Sequence, residues 1–379
     1  MTANRGPLAG LKIVEMAGIG PAPMCCMMLA DLGAEILRID RPSTADLGIE
    51  RPIETNFVMR GRPTIRVDAK MPEGRDLILG LIDKADGLVE GFRPGVMERL
   101  GFGPEVCLKR NPKLVYGRVT GWGQTGPLSK LAGHDINYLA VTGALEAMGR
   151  RDDCPPVPLN IVGDFAGGAM LLAIGLLSAL LSARETGSGQ VVDAAIVDGV
   201  ANMLTSFNGL RAGGVFSTER GSNVLDSGAF FYNTYRCRDG RFLAVGAIEK
   251  RFYAEFLARL GPDGDTLPPP SDKSRWPEGI EKLSAIFAKK DRDEWASIFA
   301  SSDACVTPIL SLEESFSDPH MQARENYVTV AGHPQAAPAP RFSKAQPSMP
   351  TPPEAPAGPE ALAGWISDAD LPRYQAAIR

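Results

Sequence analysis

Histidine is scarce in this chain: three residues in 379, at positions 134, 320 and 333. None of the six cysteines (Cys25, Cys26, Cys107, Cys154, Cys237, Cys305) stands in a C-x-x-C pair. No cysteine-bound metal site and no disulfide framework are therefore expected, and a reducing, cytoplasmic compartment is. Long basic blocks are absent. The net charge is −5 and the pI about 5.5, which argues against nucleic acid as a partner. Met1–Gly10 has no apolar signal core, and the final Ala-Ala-Ile-Arg is neither a peroxisomal nor a prenylation signal. No internal repeat is present. One stretch does imitate a membrane span, since Phe165–Ala183 carries no charge over 19 residues. It is flanked by Asp164, by Arg184 and Glu185, and then by the strand-like Gln190–Ile196, so a buried helix is expected and no membrane span.

What is present is ordinary for a globular protein: 44% hydrophobic and 22% charged residues, in a chain long enough for roughly two or three domains. Runs at Leu11–Met16, Glu35–Ile39, Thr64–Val67, Leu114–Val119 and Val191–Ile196, and Leu88–Gly95 as a strand running into a turn, read as strands alternating with helical segments. That pattern predicts an α/β fold with a parallel sheet covered by helices on both faces. The turn Gly18-Ile-Gly-Pro-Ala-Pro23, with Asp40 about twenty residues on, imitates a dinucleotide fingerprint. Pro23 stands at the third glycine position and removes a donor there, so a nicotinamide site is not expected. Gly228–Cys237 and Arg241–Ala247 read as antiparallel strands, followed by helices within 250–300, which makes a smaller α+β domain. The expected boundaries are 1–197 for a large domain completed by 338–379, 198–227 for a linker, 228–322 for the small domain and 323–337 for a return linker.

Chemistry concentrates between Gly133 and Gly168. Gly133-His-Asp-Ile-Asn-Tyr138 and Gly163-Asp-Phe-Ala-Gly-Gly168 each place an ionisable side chain after a glycine where a helix begins. Two proton carriers beside helix N-termini suit proton abstraction next to a carbonyl. Structural readings compete. His134 could simply precede a helix capped by Asp135, Asp164 could be an N-cap, and Glu249 could open an exposed helix. Arg38, Arg62 and Arg93 could be solvated charges, or could bind phosphate from strand ends and turns. Met24, Cys25, Met27 and Met28 could line an adaptable apolar wall or a core face.

Four segments in order, Glu90–Gly95, Gly117–Pro127, Gly133–Tyr138 and Gly163–Gly168, resemble the family III CoA-transferase superfamily and, within it, the α-methylacyl-CoA racemases. The likeness runs from about Leu11 to Phe342. It implies a Rossmann-like large domain, an interlocked homodimer with shared sites, and an acyl-CoA substrate with no other cofactor and no metal. It implies His134 and Asp164 as acid/base catalysts and Glu249, after Val245-Gly-Ala-Ile248, as the partner of the histidine. CoA contacts would come from Arg38, Arg62, Arg93, Gly133, Asp135 and Tyr138. The expected reaction is interconversion of (2R)- and (2S)-2-methylacyl-CoA through an enolate. A CoA-transferase using Asp164 as nucleophile and a non-catalytic CoA-thioester-binding protein are the alternatives.

Overall fold

Successive residues of the first strands bury apolar side chains on opposite sides, and this dictates a three-layer unit. In the computed structural model, β1 (Lys12–Met16) sends Ile13 into one core cluster and Val14 into another. β4 (Gly87–Glu90) divides Leu88 and Val89 likewise, and β5 (Val115–Thr120) divides Tyr116 and Val115. A strand apolar on both faces needs cover on both. The structure describes residues 6–43, 49 and 51–378; Met1–Arg5 of the N-terminal reading and Arg379 of the C-terminal one lie outside these.

With β2 (Glu35–Asp40), β3 (Thr64–Arg66) and β6 (Gln190–Ala195), these strands form a six-stranded parallel sheet in the order β3-β2-β1-β4-β5-β6. The order reverses between β1 and β4, the topological switch point at which open α/β sheets bind ligands. One face is covered by α1 (Pro21–Asp31) and by a continuous helix, Ile161–Thr186. That helix starts as a π-helical stretch, Ile161–Met170, and continues, after α2 to α5 in chain order, as α6 (Leu171–Thr186). The other face is covered by α2 (Pro72–Ile82), α3 (Val96–Leu100), α4 (Pro104–Arg110) and the C-terminal segment with Leu362, Trp365 and Tyr374. α5 (Asp135–Thr142) and α7 (Ile196–Met203) pack on the π-helical stretch.

Ile161–Thr186 is long and apolar enough to cross a membrane by length and composition. It is nevertheless packed on β5 and β6, with Leu172, Ala173, Leu176, Ala179, Leu180 and Ala183 buried. Its glycines permit close approach: a Cβ at Gly168 would lie 2.8 Å from Pro21 Cβ, and one at Gly167 2.9 Å from Val200 Cγ2.

The chain divides into two units, 1–142 with 158–203 and 322–379, and 143–157 with 204–321. The second has its own antiparallel sheet, β7 (Tyr232–Arg236), β8 (Phe242–Gly246) and β9 (Val306–Ile309), covered by helices that follow α8 (Thr205–Ala212): α9 (Lys250–Leu260), α10 (Trp276–Phe287) and α11 (Arg292–Phe299). Its core is aromatic, with Phe230, Phe231, Tyr235, Phe256, Trp276, Phe287, Trp295 and Phe299.

These boundaries differ from the sequence expectation in three places. Residues 143–157 belong to the second unit, because Arg220 bonds the carbonyls of Glu146, Arg150 and Asp153, and Arg150 reaches Thr234. The expected 198–227 linker is divided between the end of α7 and the start of the second unit. The expected return linker contains a hairpin of the first unit, β10 (Tyr327–Val330) with β11 (His333–Ala336), tied to it by Gln335 accepting from Arg60. The proline tract then runs irregularly past β3, where Thr351 accepts from Gly61 N–H and Ala357 N–H donates to Thr64.

Candidate active site

A cavity of about 950 Å³ opens in the first unit at the carboxyl ends of β1, β4 and β5, flanking the switch point. Its walls come from the turns after those strands: Gly18–Pro21 after β1, Gly91–Pro94 after β4 and Gly121–Trp122 after β5. Gly133, His134 and Tyr138 from the start of α5 and Asp164 from the π-helical stretch also line it. The two candidate proton carriers thus share one cavity.

Asp164 is held over the β1–α1 turn. Gly20 adopts a φ of 68°, which side-chain-bearing residues rarely take, and a Cβ there would come 3.2 Å from Asp164 Oδ2. Burial, reinforced by the neighbouring Asp135 carboxylate, pushes the Asp164 carboxyl up to about 6; a hydrogen bond with Asn160 and the proximity of His134 act the other way. Asp164 is not the N-cap that its sequence position allowed. The helix begins three residues earlier, at Ile161, and the Asp164 N–H donates to Asp135 Oδ2 at 2.6 Å.

Asp135, expected among the CoA contacts, is engaged by the backbone beside Asp164. It is buried, it does not line the cavity, and its carboxylate receives the backbone N–H groups of Asp164 and Gly163. Burial raises its carboxyl and those two donors oppose the shift. Nor does it cap α5. Asn137 does so, its Oδ1 accepting from His134 N–H at 3.0 Å while its own N–H donates to the His134 carbonyl at 2.8 Å. His134 itself is exposed, just ahead of α5. Tyr138 is buried against Trp122, and burial pushes its hydroxyl up to about 12, so it stays a donor; it donates to the Gly133 carbonyl.

The three arginines separate. Arg93 lines the cavity. Arg62 does not: its side chain is fully buried and gives Glu15 a two-bond contact, Nε to Oε2 at 2.5 Å and Nη2 to Oε1 at 3.3 Å. Arg38 is also buried, 3.2 Å from Asp40 and 3.9 Å from Glu15, and is absent from the lining. Arg62 also donates to the Arg60 and Pro23 carbonyls, so its guanidinium is bound within the protein, whereas Arg38 Nε is buried without a hydrogen-bond partner. Of Met24, Cys25, Met27 and Met28 in α1, three take the core option, Cys25 being buried and Met24 and Met28 packing on the core, and only Pro21 and Pro23 of this helix reach the cavity.

Arg51, Asn56, Val58, Met59, Trp122 and Asn160 line the cavity without having been singled out for a role. Arg51 repeats the Arg-Pro pair of Arg93-Pro94, a signal that could have found it. Glu249 lies in the second unit, exposed, as the residue preceding α9.

The chain is 42% identical to the α-methylacyl-CoA racemase of Mus musculus over 346 residues, covering 91% of this chain and 88% of that protein. It is 42% identical to the α-methylacyl-CoA racemase of Homo sapiens over 322 residues, 85% and 82% of the two chains. Its fold is similar to that of a CAIB/BAIF family protein from Brucella suis, with a TM-score of 0.79 over 97% of this chain and 100% of that one at 24% identity. Residues 8–361 match the CoA-transferase family III, and on that span, with the racemase identities beside it, the chain belongs to this family.

Proposed function

We propose that this protein is an α-methylacyl-CoA racemase, interconverting the two configurations at C2 of 2-methyl-branched acyl-CoA thioesters. The observation that carries the reading is the pair in the cavity: a histidine, and an aspartate whose carboxyl is raised to about 6. Inversion needs a base on one face of the α-carbon and an acid on the other, because a single group tends to return the proton to the face it left. The two groups must also exchange roles, since each enantiomer presents its proton to a different one. An ordinary carboxylate is too acidic to hold a proton beside a neutral imidazole. Asp164, raised by burial, titrates in the range where imidazoles do, so both distributions of one shared proton are accessible.

His134 takes the proton from one enantiomer and Asp164 returns one to the opposite face; the other enantiomer runs the same path backwards. Between the steps the thioester is an enolate. Backbone N–H groups at the start of α5 are the donors proposed for its oxygen, and such fixed donors contribute roughly 3 kcal/mol each. Arg93 and Arg51, both in the lining, are proposed for the phosphate end of CoA. CoA enters as part of the substrate. The homodimer and the pairing of Glu249 with His134 belong to the proposal on the strength of the sequence resemblance alone; Glu249→Gln and sedimentation analysis test them.

The deciding measurement is NMR of one 2-methylacyl-CoA enantiomer with the enzyme in deuterated water. Loss of the α-proton signal together with appearance of the other enantiomer is expected. An unchanged spectrum from folded, CoA-binding protein would sink the reading. Family membership also allows acyl transfer through an Asp164 anhydride, which hydroxylamine trapping would detect.

A further inference from the structure

The Gly117–Pro127 and Gly133–Tyr138 motifs meet in one aromatic pair. The Trp122 and Tyr138 rings stand edge to face, centroids 4.7 Å apart and planes at 85°. Tyr138 is 8% exposed and has no room to turn: a Cβ at Gly121 would fall 1.9 Å from its Cζ, and a Cβ at Gly133 would fall 2.8 Å from its Cε1 and 2.9 Å from Trp122 Cζ2. Its hydroxyl donates to the Gly133 carbonyl. That carbonyl and the His134 N–H belong to the same planar peptide unit. The N–H end of that unit is held by Asn137 Oδ1 at 3.0 Å. Both grips come from the first turn of α5, so the peptide that carries the catalytic imidazole is tied at its two ends to a single rigid element. Glycine on its N-terminal side would otherwise leave that peptide free to rotate.

We propose that Tyr138 is a positioning residue for His134, acting through the Gly133 carbonyl with Asn137 as the second grip, rather than a contact to the CoA arm. The inference rests on the racemase reading of His134 and adds to it a residue that serves one of the two proton carriers and not the other. Asp164 is held separately, through its N–H on Asp135. Loosening the Gly133–His134 peptide should therefore impair one face of the reaction selectively.

The test is Tyr138→Phe, which removes only the hydroxyl. The kcat for racemisation is expected to fall about 10- to 100-fold in both directions, because both carriers are needed for inversion, while KM for the acyl-CoA stays within about twofold of wild type. In deuterated water the enantiomer deprotonated by Asp164 should still exchange its α-proton, now with retention, and the enantiomer deprotonated by His134 should lose exchange. A raised KM with unchanged kcat would make Tyr138 a ligand contact and overturn the proposal. Equal loss of exchange from both enantiomers in natively folded protein would overturn it too. Asn137→Ala removes the other grip, is expected to give the same one-sided loss, and stands in if Tyr138→Phe does not fold. An arm independent of turnover uses the three histidines: with His134 assigned through His134→Gln, its Cε1–H resonance should shift or double in Tyr138→Phe while those of His320 and His333 stay in place. An unmoved His134 resonance overturns the positioning role. Absence of racemisation by the wild type would defeat the racemase reading, and the resonance arm would still decide this one.

Discussion

Asp164→Asn is expected to lower racemisation about 10³-fold or more and, at the same time, to make the protein more stable above pH 6. The loss follows from removing one of two obligatory proton carriers, where general acid–base catalysis contributes roughly 10²- to 10⁴-fold. The gain follows from linkage. The carboxyl is raised in the folded protein from an ordinary 3.8 to about 6, first by burial and then by Asp135. Between about pH 4 and pH 6 the unfolded chain releases this proton while the folded protein keeps it, so wild-type stability declines across that window and the penalty is complete above it. Asparagine carries no such penalty. The melting temperature of the variant relative to wild type should thus be near parity at pH 4, climb to pH 6 and level off. A difference that shrinks as pH rises would contradict the assigned shift. The same pair governs the pH–rate profile. Both directions need the His134–Asp164 pair singly protonated, so kcat/KM should be bell-shaped, with matching limbs for the two enantiomers.

The second large effect concerns stability. Arg62→Met leaves Glu15 fully buried with Arg38, 3.9 Å away, as its remaining cation. Breaking one partner out of a buried pair costs about 3–5 kcal/mol, whereas exchanging both for apolar side chains is often neutral. Urea unfolding of Arg62→Met should register a loss of that order, and Glu15→Leu together with Arg62→Met should recover most of it. The double variant also separates the structural role from the expected CoA contact. With Arg62 buried on Glu15, KM for the acyl-CoA should stay within about twofold of wild type. A tenfold rise in KM would return Arg62 to the substrate site.

The case of Arg62 shows where reading the chain stops. Its neighbours in sequence, Arg60-Gly-Arg-Pro63, describe a basic turn suited to phosphate. Its partner lies 47 residues earlier, on β1, and becomes its partner only when β1 and β3 join the same sheet. Asp135 is similar. Locally it is an acid at a helix start, yet its carboxylate is spent on the Asp164 N–H, 29 residues away. Met24 and Met28 could face a ligand or a core, and the packing of α1 on the sheet decided for the core. Residues 143–157 carry no signal assigning them to the second unit, because the hydrogen bonds that do so come from Arg220.

What the residues by themselves determined is what local chemistry controls. Apolar runs of strand length, interrupted by turns and helical periods, specified the parallel sheet and its two covered faces, since burial on both sides leaves no other arrangement for β1, β4 and β5. Glycine before histidine and glycine before aspartate marked the two candidate proton carriers, although only His134 stands at a helix start and Asp164 lies three residues inside its helix. The strand order, and with it the switch point that places His134 and Asp164 in one cavity, came only from tertiary structure. So did the value of about 6 for Asp164, because it depends on burial and on a carboxylate brought close by folding. Proximity between distant segments is a property of packing, and a linear pattern records the side chains without recording which of them will meet.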